Sequence, residues 1–227
     1  MSERQGIELH HCVSARSFRP LWTLEEIGVP YQLRMLPFPP RALARPYLDI
    51  NPLGTVPLLS DGRTRMTESA AICQYLASRH PDRGLQVGVE EPDFGAWLNW
   101  LHFGEATLTF PQTLVLRYGQ FEVPERRQPQ VVEDYGKWFL ARLRTLEPLL
   151  SERDYLCAGR FTVADVSVGY ALMLAQYIGF ADRFTPAVLA YWHRLKKRDA
   201  FVRALAAESE AAVAQRVSPV AAPLERR

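Results

Sequence analysis

Short apolar runs alternate with stretches of helical apolar spacing along the first 80 residues. Strands are predicted at 7–13, 31–36, 56–59 and 64–66. Helices are predicted at 17–27, 42–50 and 68–79. Gly28 followed by Pro30 provides a stop signal for the first helix, and Asp61-Gly62 marks a hairpin between the last two strands. The order βαβαββα therefore predicts an α/β domain with a partly parallel sheet over residues 1–80.

The pattern changes at 81–92, where prolines, glycines and acidic residues predict a linker. Beyond it only helical spacing remains, which predicts an all-α domain over 93–216. Its helices are predicted at 93–118, 130–150, 162–178, 186–198 and 200–214. Thr162 and Asp165 are spaced as a capping box at the start of a buried helix. We expect residues 217–227 to be a disordered tail.

The composition and charge of the chain exclude some classes of function. With 48% apolar and 23% charged residues, the chain is typical of a globular protein with a core. Its net charge of +2, without a basic cluster interleaved with aromatic residues, argues against nucleic-acid binding. The apolar stretch 163–181 contains Asp165 and Gln176, which favours a core helix over a membrane span.

The three cysteines form no CxxC pair, and the N-terminus lacks an apolar signal region. Both observations predict a cytoplasmic protein without a disulfide framework. His10 and His11 have no companion at metal-ligand spacing, so no metal site is expected.

Two neighbouring signals indicate a binding site. A proline such as Pro57 is tolerated at the first position of a strand, and a cis bond there would turn the backbone groups of Val56 outward. Glu68 and Ser69 begin a helix, where amides and a hydroxyl can hold a carboxylate while the acidic side chain holds an ammonium group. Together these groups match the α-amino-acid end of a γ-glutamyl compound. The structural alternatives are a trans proline and an ordinary helix cap.

Residues 51–59, with Glu68-Ser69 and the residues up to 72, closely resemble the glutathione-binding region of the cytosolic glutathione transferases. Residues 16–31 resemble the first helix and second strand of that family, and 159–165 resemble its capping motif. The resemblance covers roughly residues 7–210. It implies a thioredoxin-like N-terminal domain, an all-helical C-terminal domain, glutathione as co-substrate and a homodimer.

The resemblance also assigns roles to residues. It implies that Pro57 is a cis proline, that the Val56 backbone pairs with the cysteinyl unit of glutathione, and that Glu68 and Ser69 hold the γ-glutamyl group. The chain resembles bacterial members of this family, and the loop after its first strand resembles the serine-type loops of the zeta and theta classes.

The catalytic position lies in the loop 12–17, which contains no tyrosine. Ser14 falls where zeta-class members keep a serine, whereas the position used by theta-like members is Ala15. We predict that Ser14 donates to the glutathione thiolate, that Arg16 adds electrostatic support, and that Ser17 caps the first helix. Cys12 lies near the reactive cysteine of omega-like members and is the alternative.

The sequence places the electrophile pocket between the domains, facing the first long helix. Its candidate residues are Trp97, Trp100, Leu101 and Glu105, for which core packing is the alternative. The predicted function is transfer of glutathione to a small apolar electrophile, as in detoxification. The alternatives are a glutathione-dependent isomerase acting through Ser14, a thiol transferase acting through Cys12, and a non-catalytic interaction module.

Overall fold

The computed structural model describes residues 6–225, which form two compact units. Of the described residues, the first unit contains those up to Arg83 together with Arg198–Ala222. The second unit contains Gly84–Lys197 and the described residues after Ala222. Among the described residues, no helix has the length and apolarity that crossing a bilayer requires.

A four-stranded mixed sheet forms the centre of the first unit. Its strands are β1 (Ile7–His11), β2 (Tyr31–Met35), β3 (Leu58–Asp61) and β4 (Thr64–Met66), arranged in the order β2-β1-β3-β4. β1 and β2 are parallel, whereas β3 pairs antiparallel with both β1 and β4. Leu9 lies in register with Leu33 on one side and Leu59 on the other. The predicted partly parallel sheet with a hairpin is therefore confirmed.

Four helices connect and cover this sheet. They are α1 (Phe18–Ile27), α2 (Pro40–Leu43), α3 (Tyr47–Ile50) and α4 (Ser69–Arg79). α1 ends at Gly28, which has φ 74° and donates its amide to the Leu24 carbonyl at 2.8 Å, as the stop signal predicted. The single helix predicted at 42–50 is instead two short helices. Pro46 explains the break, because a proline disfavours the helical conformation of the residue before it.

The second unit is helical throughout. Its helices are α5 (Phe94–His102), α6 (Phe110–Leu116), α7 (Pro129–Leu143), α8 (Glu147–Glu152), α9 (Val163–Tyr177) and α10 (Pro186–Lys196). π-helical segments at Phe103–Thr109 and Arg117–Phe121 extend α5 and α6 into one continuous helix over 94–121.

α9 is the centre of the second unit, and each of its residues from Val163 to Ala175 is buried. The capping box predicted from the sequence is present: the Thr162 hydroxyl accepts the Ala164 amide, and Asp165 accepts the Thr162 amide at 2.8 Å. The helix crosses the π-helical segment Phe103–Thr109 closely at Gly104, where an added Cβ would lie 2.7 Å from the Ser167 carbonyl oxygen.

The last long helix, α11 (Asp199–Ala214), differs from its predicted place in the helical domain over 93–216. It belongs to the first unit, where Phe201 packs edge-on against Trp22 with ring centroids 4.8 Å apart. The Arg198 guanidinium also holds both carboxylate oxygens of Glu26 at 2.6 and 2.8 Å. The apolar spacing of a helix indicates which of its faces is buried, but it does not indicate which other element covers that face.

The predicted linker and tail also differ from the structure. Residues 81–83 form a 3-10 turn of the first unit, and the second unit begins at Gly84. The tail is folded where it is described: Ala221 and Ala222 are buried, and α12 spans Ala222–Glu225. The last two residues, 226 and 227, lie outside the described part of the chain.

Candidate active site

The Val56-Pro57 peptide bond is cis, as expected from the sequence. The loop before it is held at the Thr55 carbonyl, which accepts hydrogen bonds at 2.9 Å from both the Asn51 side-chain amide and the Tyr47 hydroxyl. Pro57 is buried, while Val56 is half-buried. These side-chain bonds fix the backbone that leads into β3.

The N-terminus of α4 provides the second part of the site. Glu68 is the N-cap residue, and its exposed carboxylate makes no capping bond to the helix. Ser69 is the first helical residue and is buried, with its hydroxyl accepting from the Arg19 guanidinium at 3.1 Å. An exposed carboxylate therefore lies beside the positive end of the helix dipole.

Arg19 was not predicted as part of the site. The structure shows it completely buried in α1. A buried arginine needs hydrogen-bond acceptors, and one of those it finds is the Ser69 hydroxyl. The signal in the sequence was a single cation within an otherwise buried stretch of α1, next to Phe18. Arg19 joins α1 to the start of α4 and so orients the Ser69 side chain.

The loop between β1 and α1 makes a tight turn at Ser14. The Ala15 amide donates to the Cys12 carbonyl at 3.0 Å, and Ser14 adopts a left-handed conformation with φ 52°. This conformation costs a residue other than glycine roughly 1–2 kcal/mol. The Ser14 amide donates to the Glu208 carboxylate at 3.0 Å. A hydrogen bond to a charged acceptor is worth about 1.5–3 kcal/mol, which is enough to offset that cost.

Of the other candidates in the loop, Ser17 and Cys12 are completely buried and Arg16 is half-buried, and Ser14 itself is 4% exposed with a buried hydroxyl oxygen. Ser17 is completely buried, and its hydroxyl accepts from the Cys12 amide at 3.4 Å instead of capping α1. The prediction that Ser17 caps the helix is therefore wrong. Ser17 lies at the N-cap position in a helical conformation, so its side chain is directed back toward β1.

Burial also removes Cys12 as a nucleophile. Its thiol is completely buried and donates to the Pro37 carbonyl at 3.8 Å. Desolvation raises the pKa of this thiol to about 12, so almost none of it is thiolate at neutral pH. Arg16 lies in the same loop, half-buried, and its carbonyl accepts the Arg19 amide at 3.2 Å.

The four candidate residues for the electrophile pocket divide into two groups within the second unit. Trp97 and Leu101 are buried, which supports the core-packing alternative for both of them. Trp100 and Glu105 are partly exposed, and the Trp100 ring meets Phe103 edge-on at 5.2 Å. Within residues 6–225, no cluster of His, Cys, Asp and Glu side chains is large enough to hold a metal ion.

Known proteins share this sequence pattern and fold. The family profile described as glutathione S-transferase, N-terminal domain, matches residues 13–79. The glutathione S-transferase GstA of Escherichia coli O157:H7 is 31% identical over 163 residues, covering 71% of this chain and 78% of that protein. Glutathione S-transferase 4 of Zea mays is 30% identical over 189 residues, covering 80% of this chain and 83% of the maize protein.

Solved structures agree with the sequence relatives. A sphingomonad glutathione S-transferase complexed with glutathione superposes with a TM-score of 0.76 at 25% identity, covering 88% of this chain and 98% of that one. The transferase URE2P8 of Phanerochaete chrysosporium shares the fold with a TM-score of 0.80 at 21% identity, covering 96% and 100%. The chain belongs to the glutathione S-transferase family, with a thioredoxin-like domain and a helical domain.

Proposed function

We propose that this transferase ionises the thiol of bound glutathione at Ser14 and passes the thiolate to a small apolar electrophile. The observation that carries this proposal is that one unit contains the ordered Val56 loop, the N-terminus of α4 with its exposed Glu68 carboxylate, and the Ser14 turn. Relatives crystallised with glutathione support the same ligand.

The binding part of the site has groups for each end of the γ-glutamyl unit. The helix N-terminus at Ser69 favours the α-carboxylate, because free amides and the helix dipole attract an anion there. The exposed Glu68 carboxylate suits the α-ammonium group. The backbone of Val56 suits the amide groups of the cysteinyl unit, because extended peptides pair through their main chain.

The chemical step needs a thiolate. A free thiol has a pKa near 8.5, so only a few per cent is ionised at neutral pH. One hydrogen bond from the Ser14 hydroxyl to the charged sulfur is worth about 1.5–3 kcal/mol, which lowers that pKa by roughly one to two units. The proton is released to solvent, the sulfur forms a bond to the electrophilic atom, and the leaving group departs with the electrons of its broken bond. Arg16 adds a positive charge within the same loop.

The class of this enzyme follows from the loop. We infer a serine-type transferase similar to the zeta and theta classes, acting as a cytoplasmic homodimer. Trp100 and Glu105 are the proposed contacts of the electrophile, since both retain exposed surface. The burial of Cys12 argues against a thiol transferase that uses this residue.

The test is conjugation of glutathione to a halogenated dinitrobenzene by the parent and by Ser14→Ala. We expect Ser14→Ala to lower kcat/KM at neutral pH by roughly 10–100-fold and to raise the pKa in its pH profile by one to two units. The matched control is Ser78→Ala, at an exposed position of α4. A parental rate and pH profile in Ser14→Ala would contradict the proposal.

A further inference from the structure

Glu208 is a buried acid far from the loop in sequence. It lies on α11 and is 4% exposed. One of its oxygens, Oε2, lies 3.0 Å from the Ser14 amide nitrogen and 2.8 Å from Nε2 of His11. His11, which ends β1, is completely buried. A single carboxylate oxygen therefore connects the end of β1 with the turn at Ser14.

The Ser14 turn needs such a partner. Its left-handed conformation, φ 52°, is uncommon for residues other than glycine, and it persists where surrounding groups hold it. The amide bond to Glu208 acts on the same residue that carries the strained conformation. The contact with His11 holds the same carboxylate oxygen from a second direction.

The position of α11 gives this arrangement its rigidity. The helix packs within the first unit through Phe201 on Trp22 and through the paired bonds of Arg198 to Glu26. Glu208 follows two turns later on the same helix. The Glu208 carboxylate therefore belongs to a helix, α11, that packs firmly on α1. The Ser14 loop leads directly into α1.

Burying the Glu208 carboxylate is expensive unless its partners compensate, since well-packed apolar residues often replace buried charged groups without loss of stability. Its partners include the Ser14 amide and His11. One oxygen of this side chain can accept two hydrogen bonds at once, and the amide oxygen in Glu208→Gln keeps that capacity.

We propose that Glu208 is a positioning residue for thiol activation, which fixes the Ser14 turn through the Ser14 amide and His11. This inference rests on the proposed role of Ser14. Glu208 acts through the backbone of the loop and does not touch glutathione, so its removal changes the geometry of activation more than the affinity for the ligand.

Three substitutions test the proposal in the full-length chain. Glu208→Ala removes the acceptor, and Glu208→Leu removes it while filling most of the volume. Glu208→Gln keeps one acceptor oxygen for the Ser14 amide. The matched control is Glu210→Gln, two residues further along α11 and exposed. The readouts are the pH profile of kcat/KM with a halogenated dinitrobenzene, the KM for glutathione, and hydrogen exchange of the Ser14 amide without glutathione.

We expect Glu208→Ala and Glu208→Leu to accelerate exchange of the Ser14 amide by at least about tenfold and to raise the pKa in the pH profile by about one unit. At neutral pH their kcat/KM then falls about tenfold, mostly through kcat. Glu208→Gln should recover activity to within about threefold of the parent, and Glu210→Gln should match the parent.

Two results would overturn the inference: a parental pH profile in both Glu208→Ala and Glu208→Leu, or a loss in Glu208→Gln as large as in Glu208→Ala. Ser14→Ala separates this failure from failure of the proposed function. If Ser14→Ala loses activity and the Glu208 variants do not, only the positioning role is refuted. If Ser14→Ala keeps the parental profile, the proposed function fails, while the amide exchange still reports whether Glu208 holds the turn.

Discussion

Replacing Asp165 with alanine should destabilise the protein more than any surface substitution. Asp165 is completely buried at the start of α9 and accepts hydrogen bonds from four donors. The Thr162 amide and hydroxyl donate at 2.8 and 3.2 Å, the Leu156 amide at 3.1 Å, and the Tyr191 hydroxyl at 2.8 Å. The substitution therefore removes the capping box and also the acceptor shared by three separate segments of the second unit.

The magnitude follows from the donors that lose their acceptor. A buried polar group left without a partner costs about 1–3 kcal/mol, and loss of a helix cap costs about 1 kcal/mol. Such losses overlap when the groups share one site, and breaking a buried charged network typically costs 3–5 kcal/mol. We expect Asp165→Ala to lower the free energy of unfolding by about 4 kcal/mol. For a chain of this size, that corresponds to a fall in Tm of roughly 8–16 °C.

Equilibrium urea unfolding at neutral pH, followed by circular dichroism, measures this change. Asp154→Ala is the control, because Asp154 is an exposed acid paired with Arg194, and such surface pairs contribute at most about 1 kcal/mol. If the two units unfold in separate transitions, the midpoint and slope of the transition of the second unit are the quantities to compare. A change below about 1 kcal/mol for Asp165→Ala would refute the reasoning from buried donors.

Three further outcomes are expected. Burial raises the pKa of Asp165 to about 6 from its ordinary 3.8, so the folded state keeps the proton over a range in which the unfolded state loses it. The parent should therefore lose up to about 3 kcal/mol of stability relative to Asp165→Asn as the pH rises from about 4 to about 6, and equal pH dependence of both proteins in urea titrations would contradict this. Gly104→Ala should cost about 1–3 kcal/mol or more in the same assay, because its Cβ would meet the Ser167 backbone, whereas Gly95→Ala meets no atom within 4 Å. Cys12→Ala should retain conjugating activity, and the Cys12 thiol should resist a thiol-specific reagent in the native protein; rapid labelling at neutral pH would contradict its burial.

Local signals in the sequence predicted much of the first unit. Alternation of strands and helices gave the order around the sheet, and Asp61-Gly62 marked the hairpin between β3 and β4. The start of α4 near Glu68 was also predicted, since it depends on a motif of a few residues, and the cis bond at Pro57 was implied by the family resemblance of residues 51–59. The capping box at Thr162 was predicted for the same reason.

Contacts between distant segments were not predicted. α11 has an ordinary amphipathic pattern, which contains no information about its packing on α1. Glu208 lies 194 residues from Ser14, and no spacing rule connects the two positions. Arg19 and Ser69 are 50 residues apart and pair only because α1 and α4 pack together. Polar groups of this kind become visible only when the fold brings them into the same buried space.

Calorimetric titration of the purified chain with glutathione tests the central claim most directly. The account predicts saturable binding with a Kd below about 1 mM, and substantial weakening in Glu68→Ala, which removes the proposed partner of the γ-glutamyl ammonium group. Glu90→Ala, an exposed acid outside the first unit, should bind like the parent. Absence of heat, or binding weaker than millimolar in the parent, would contradict the account.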